Sequence, residues 1–344
     1  MSPIYNQLLI PFLTAMLLAI TMGGSGTAPA FSATYGANVI RKSIIPGLFG
    51  IMVFVGALLA GKKTANTMGS GILSGEYMTF IVVSIALFSI AITMLISNIA
   101  GIPQSTSQAA VLSLAAPALY FNKLDTNMLF EEIIPAWFVL PVISYFLSFF
   151  AGKYIYKPMR RRGLTMLRAQ NENAKPIWDY LLIAMALYVS FAIGSNNVAN
   201  AAGPLYTMTI NELNIKESDH IVILMLATLV VAPCFGIGSS LFGYKILRNT
   251  GKEIVLFGKF EAVIIAFISG SLLLLASVVK GIPTSLVQVN VAAILGIGVA
   301  KMGHKNIFKK TQVKRFFAMW MIAPVISFVL SLLLIFLADR FNFL

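Results

Sequence analysis

Ten apolar runs, near residues 5–22, 44–61, 77–99, 104–122, 133–152, 177–193, 220–243, 254–279, 283–300 and 316–338, occupy most of this chain. A helix needs about 20 apolar residues to cross the hydrocarbon core of a bilayer. Runs of this number and length therefore confine the chain to an all-α polytopic membrane fold. Only 11% of the 344 residues are charged, under half the roughly 25% typical of soluble domains. Cys234 is the single cysteine and lies within an apolar run. It rules out an intramolecular disulfide framework or a cysteine metal cluster, and reads as a small buried hydrophobe.

The formal net charge is +13, which in a soluble protein would suggest a nucleic-acid partner. Its distribution argues otherwise. Lys153, Lys157, Arg160, Arg161, Arg162, Arg168 and Lys175 fill one connection; Lys245, Arg248 and Lys252 fill a second; Lys301, Lys305, Lys309, Lys310, Lys314 and Arg315 fill a third. Placing all three in the cytoplasm agrees with strict alternation of the spans and leaves "NELNIKESDH" (211–220) and Asp125 outside. Both termini then fall outside. The first run lacks the basic n-region of a signal peptide. The expected location is the cytoplasmic membrane, with no nucleic-acid partner.

The chain also repeats itself. "GIPQSTSQ" (101–108) recurs as "GIPTSLVQ" (281–288), and "GALLAGKKTANTMG" (56–69) aligns with "GSSLFGYKILRNTG" (238–251) through three glycines, a leucine and a lysine. "GGSGTAPAFSATY" (23–35) aligns more weakly with "GSNNVANAAGPLY" (194–206). The matches keep their order, with five spans to each half. An odd number inserts the second half upside down, and inverted repeats characterise secondary transporters, whose substrate site lies where the two halves meet. The expected organisation is a membrane repeat over 1–152, a basic cytoplasmic linker over 153–176 and an inverted repeat over 177–344. Counting broken segments as spans would raise the crossings from ten to about twelve.

Four polar, helix-breaking segments interrupt the apolar runs: 23–36, 101–108, 194–206 and 281–288. Irregular backbone survives at membrane depth only where it lines a cavity or is buried in protein. Gly101 and Pro103 predict the end of one helix and the start of another, with Ser105, Thr106 and Ser107 in the new first turn. Free N–H groups, hydroxyls and the positive end of a helix dipole there suit an anion. By the same reasoning 194–206 predicts a broken helix that donates hydrogen bonds to substrate. Gly, Ser, Thr and Asn equally serve close helix packing, and for a single segment the two readings carry equal weight. Recurrence at repeat-related positions favours the site.

"GSNNVANAAGPL" resembles the signature of the inorganic phosphate transporter (PiT) family, commonly Gly-Ala-Asn-Asp-Val-Ala-Asn-Ala with a following Gly-Pro step. "GIPQSTSQ" and "GIPTSLVQ" resemble its Gly-Leu-Pro-Val-Ser-Thr-Thr-His segments, and the likeness runs along essentially the whole chain. It implies a secondary anion carrier with inverted repeats, usually a homodimer, driven by sodium or protons. The matched site positions are Asn196 and Asn200, Ser105 and Thr106, and Ser285. With their neighbours, the substrate-binding candidates are Ser25, Gly26, Thr27, Ser105, Thr106, Ser107, Gln108, Asn196, Asn197, Asn200, Ser285 and Gln288.

The departures narrow the substrate. Asn197 stands where the signature has aspartate, and Gly26 is its counterpart in the first half. The signature asparagines there become Ser25 and Pro29, the hairpin histidines become Gln108 and Gln288, and the twin threonines of the second hairpin become Leu286 and Val287. Phosphate at neutral pH keeps a proton that a carboxylate can accept. Sulfate keeps none, so its contacts must be donors and a nearby carboxylate repels it. The pattern resembles the sulfate permease branch of the family, with a phosphate or other oxyanion symporter as the alternative. Loss of both aspartates weakens any sodium site, which leaves a proton as the expected co-transported cation.

Glu261, near Lys259 at the start of a long run, is the candidate coupling group. An interfacial pair reaching the headgroups is its plainer reading. His220 and His304 lie in connections. "GALLAGKK" (56–63) is a false phosphate-loop match, since Lys63 stands where Ser or Thr is needed. No catalytic or metal-binding motif appears, so neither an enzyme, a cofactor nor a bound metal is expected. A passive anion channel is the remaining rival, separated by the absence of counter-flow exchange.

Overall fold

The computed structural model of the chain describes residues 3–100, 104–156, 158, 177–250, 258–308 and 311–344. Lys157, Arg160, Arg161, Arg162, Arg168 and Lys175 of the basic linker, Gly101, Ile102 and Pro103, and Lys252, Lys309 and Lys310 lie outside the described residues. Among those described, the backbone is helical, and its one extended pairing is an isolated bridge between Leu73 and Leu124.

The first half runs through α1 (Pro3–Gly36), α2 (Ile45–Ala60), the short α3 (Lys62–Asn66), α4 (Phe80–Ala100), α5 (Thr106–Tyr120) and α6 (Ile134–Phe150). The second runs through α7 (Ile177–Asn197), α8 (Ala199–Leu213), α9 (His220–Gly238), α10 (Tyr244–Thr250), α11 (Lys259–Leu275), α12 (Leu286–Met302), α13 (His304–Phe308) and α14 (Thr311–Arg340). Seven described helices are long and apolar enough to cross a membrane, eight when α2 and the segment bent from it by 78° are taken together. Apolar side chains such as Phe138, Val142, Leu229, Leu333 and Phe336 face outward. An exterior of that kind suits hydrocarbon rather than water.

The two halves are inverted repeats, each containing a helical hairpin. In the first, Tyr77 just before α4 lies against Phe121 just past α5, with ring centroids 5.3 Å apart and the planes tilted by 33°, and midway Ser113 Oγ donates to Ala86 O at 2.9 Å. In the second, Lys301 at the end of α12 pairs with Glu261 at the start of α11 at 2.6 Å. Each hairpin therefore begins and ends at one face. The halves are laced together: α6 packs along α12 and α14 along α5. Trp137 Nε1 donates to Pro283 O at 3.0 Å, and Ser331 Oγ to Ser113 O at 2.8 Å.

Glycines fix the remaining crossings. A Cβ on Gly56 of α2 would lie 2.0 Å from Phe191 O of α7, and one on Gly194 of α7 would lie 2.0 Å from Val53 O of α2. The same contact recurs between α9 and α1, where Gly238 meets Ile20 O at 1.8 Å and Gly23 meets Phe235 O at 2.2 Å. All four glycines belong to the aligned repeat segments. Small residues let these backbones touch, as in other membrane helix pairs.

This corrects two expectations. Segment 23–36 is not irregular: α1 runs through it to Gly36. Segment 194–206 is interrupted only at Val198, whose φ of −60° and ψ of −34° are still helical. Packing accounts for Gly23, Gly24, Gly194 and Gly203, whose Cβ positions lie under 3 Å from neighbouring atoms, while nothing lies within 4 Å of that of Gly36. Of the four segments only the two hairpin tips break a helix, and a further break, the 78° bend after α2, lies outside all four.

Candidate functional site

The two tips are built alike. Ser105 caps α5 with φ −79° and ψ 104°, and Ser285 caps α12 with φ −84° and ψ 103°. Each Oγ accepts the N–H three residues on, from Gln108 and Gln288, at 3.3 Å. A helix leaves its first N–H groups without intrahelical partners. With Gln108 and Gln288 satisfied by the caps, the N–H groups of Thr106, Ser107, Leu286 and Val287 remain for other acceptors. The tips meet: Gln288 Nε2 donates to Gln108 Oε1 at 2.9 Å, joining two residues that occupy the same place in their repeats.

Between the tips lies a cavity of about 10 Å³ lined by Ser25, Gly26, Pro29, Thr106, Asn197, Ser285, Leu286 and Val287. None of these is charged. The space holds about one water, so a tetrahedral oxyanion enters only if the tips separate. Gly26 and Pro29 provide a flat wall, since α1 has no long side chain there.

α7 and α8 supply the amides. Asn197 Nδ2 donates to Thr106 Oγ1 at 3.1 Å. Asn200 Nδ2 donates to Ser107 Oγ at 3.3 Å. Asn196 is engaged on every side: Nδ2 donates to Ser277 Oγ at 2.8 Å and Ile282 O at 3.0 Å, while Oδ1 accepts from Thr284 N at 3.0 Å and Ser107 Oγ at 3.3 Å. Asn196 is thus a strut between the tips, with no capacity left for a ligand. Among the site residues, three buried amide oxygens, Asn197 Oδ1, Asn200 Oδ1 and Gln288 Oε1, have no hydrogen-bond partner. An amide is bifunctional. A half-turn of Asn197 would present its NH₂ to the cavity while Thr106 Oγ1 donates to Oδ1.

Of the residues expected at the site, Ser25, Gly26, Thr106, Asn197 and Ser285 line the cavity, and Ser105, Ser107, Gln108, Asn196, Asn200 and Gln288 form its surrounding network. Thr27 does not join them. Its Oγ1 donates to Gly23 O at 2.7 Å and its side chain lies against Gly243, on the other side of α1. Glu261 lies 20 residues before the Gly281 tip, about 30 Å along a helix. It is 2% exposed and paired with Lys301, while Lys259 pairs with Asp179. The interfacial Lys259–Glu261 pair is therefore replaced by two separate pairs. Ser277 and Thr284, which hold Asn196, were not among the expected residues. Among the described residues no group of His, Cys, Asp or Glu could hold a metal ion.

Residues 22–331 match the model of a phosphate transporter family. The chain is 28% identical over 328 residues to the sulfate permease CysP of Bacillus subtilis, covering 95% of this chain and 87% of that one. It is 23% identical over 325 residues to a candidate phosphate permease of Methanocaldococcus jannaschii, covering 94% and 96%. A solved sodium-dependent phosphate transporter superposes with a TM-score of 0.82 at 20% identity, covering 97% of this chain and 99% of that one. That likeness gives the fold.

Proposed function

The chain belongs to the phosphate transporter family, matched over residues 22–331, and from that premise we propose that it is a secondary active permease importing inorganic sulfate across the cytoplasmic membrane. The observation that carries this reading is the uncharged cradle. Two capped helix N-termini converge on a cavity where Asn197 and Gly26 stand in place of acids. Backbone N–H groups, hydroxyls and amides suit an anion that has no proton to give. The similarity to a sulfate permease supports the same substrate.

Importing a dianion against an inside-negative potential costs about 2.3 kcal/mol per charge per 100 mV, twice that in all. A co-transported cation must offset it. A proton is the cation of this reading, because no carboxylate lines the cavity to hold a hard metal ion.

A second reading, phosphate with sodium, draws on the three partnerless amide oxygens. They could accept the proton of hydrogen phosphate or contribute neutral ligands to sodium. Radiolabelled sulfate uptake into proteoliposomes, with excess unlabelled phosphate and imposed pH or sodium gradients, separates the readings. Saturable uptake that ignores phosphate and follows the pH gradient is expected. Uptake abolished by phosphate and strictly dependent on sodium would establish the second reading.

A further inference from the structure

The lysine that spoiled the phosphate-loop match in the sequence has a place in the structure. Lys63, just past the bend after α2, donates from Nζ to Val279 O at 3.1 Å. Val279 lies in the π-helical turn Ala276–Lys280 that carries α11 to the second hairpin tip. In the other half Lys245, in α10 just past α9, donates from Nζ to Ile99 O at the end of α4, beside the first tip. Lys63 and Lys245 are aligned in the repeat, 182 residues apart, and Ile99 and Val279 are 180 apart. Two contacts related in both partners are one device made twice.

We propose that Lys63 and Lys245 are cross-half latches, positioning residues that each pin the hairpin tip of the opposite repeat. The chemistry is direct. The last carbonyls of a helix have no intrahelical donor, and a cation there also meets the negative end of the helix dipole. Each ammonium supplies both needs. It does so from a segment fixed by the glycine crossings, Gly56 with Gly194 and Gly238 with Gly23. The contact at the second tip is close along its length: Gly281 has φ +68°, and a Cβ there would lie 2.8 Å from the Lys63 carbonyl. Both lysines are exposed, so water or an arriving anion can compete for the ammonium and release the tip. One latch serves each tip, so the tips are released independently.

Single-cysteine probes in a Cys234→Ala background test this, because Cys234 is the chain's one cysteine. Ser97→Cys reports the first tip and Ile282→Cys the second, both from buried positions. Maleimide labelling rates are measured on purified full-length protein in detergent, without added anion. Lys63→Met should raise labelling at Ile282→Cys by about tenfold or more, the weight of one hydrogen bond from a charged group, and leave Ser97→Cys unchanged. Lys245→Met should do the reverse, and Lys63→Arg or Lys245→Arg should restore the slow rate. Unchanged labelling overturns the proposal. So does a rise at both probes from either variant, which is what general loosening of the fold would give. The readout contains no substrate, so its failure would leave the sulfate reading standing.

Discussion

Asn196 and Asn197 are adjacent amides with different work. Asn196 makes four hydrogen bonds to protein groups, and Asn196→Ala would leave the buried Thr284 N–H without its acceptor, while Ile282 O keeps the Thr284 hydroxyl. A buried group left unsatisfied costs about 1–3 kcal/mol. The variant should lower the detergent melting temperature clearly while leaving sulfate selectivity over phosphate unchanged in uptake competition. Asn197 faces the cavity. Asn197→Asp would place a carboxylate against a dianion, a repulsion of about 4 kcal/mol per unit of anion charge at 4 Å and an effective dielectric constant of about 20, twice that for sulfate. Sulfate uptake should fall at least tenfold, with phosphate affected less; equal loss of both would remove charge as the basis of selectivity. Thr106 and Ser285 stood out in the sequence because the tip motif occurs twice, whereas Ser25, Gly26 and Asn197 stood out only through the likeness of their segments to the family signature. Ser277 did not, being one polar residue against an apolar background, and Thr284, though inside the tip motif, has glutamine rather than a hydroxyl residue at its repeat counterpart, Gln104. The repeat held a signal for Ser277: its counterpart Ser97 also serves its tip, donating to Gln104 Oε1 at 2.5 Å.

At the scale of the element, a helix stands in each of the ten apolar runs. Only seven or eight of the described helices are long and apolar enough to span, not ten to twelve. The polar α8 lay outside the runs, and the breaks in α1 and α7 were over-read. Glycine in a membrane helix signals either a break or a close crossing. Only the neighbouring backbone decides between them, and sequence does not show it. The crossings make a sharp prediction. Gly194→Val or Gly56→Leu forces side-chain atoms into a carbonyl already about 2 Å from the Cβ position, beyond the 1–3 kcal/mol of ordinary overpacking. Either variant should fail to give a monodisperse peak in size-exclusion chromatography. Gly47→Ala is the control. It also lies in α2, but nothing lies within 4 Å of its Cβ position, and it should behave as wild type.

In the whole molecule the two halves tie the far ends of their hairpins differently. The second hairpin closes on the buried Glu261–Lys301 pair, with Lys301 also 4.9 Å from the Tyr156 ring centroid. The end of the first hairpin meets α14 through Tyr120 Oη, which donates to Asp339 Oδ2 at 2.6 Å. Breaking a buried ion pair from one side typically costs 3–5 kcal/mol. Glu261→Gln should therefore melt at lower temperature, yet uptake per folded protein should keep its dependence on the pH gradient. Loss of that dependence would return Glu261 to the coupling path.

The bond between Gln108 and Gln288 has a consequence for the energetics of transport. A residue that touches its own repeat counterpart marks the axis about which the halves exchange. In a carrier built from inverted repeats, exchanging the conformations of the two halves turns a form open to one face into a form open to the other, so the two forms are one architecture with roles traded. If the halves were identical in sequence, the forms would be equally populated. The resting orientation is therefore set by mismatches between the halves, such as Thr106 and Ser107 against Leu286 and Val287, or one buried ion pair with no twin.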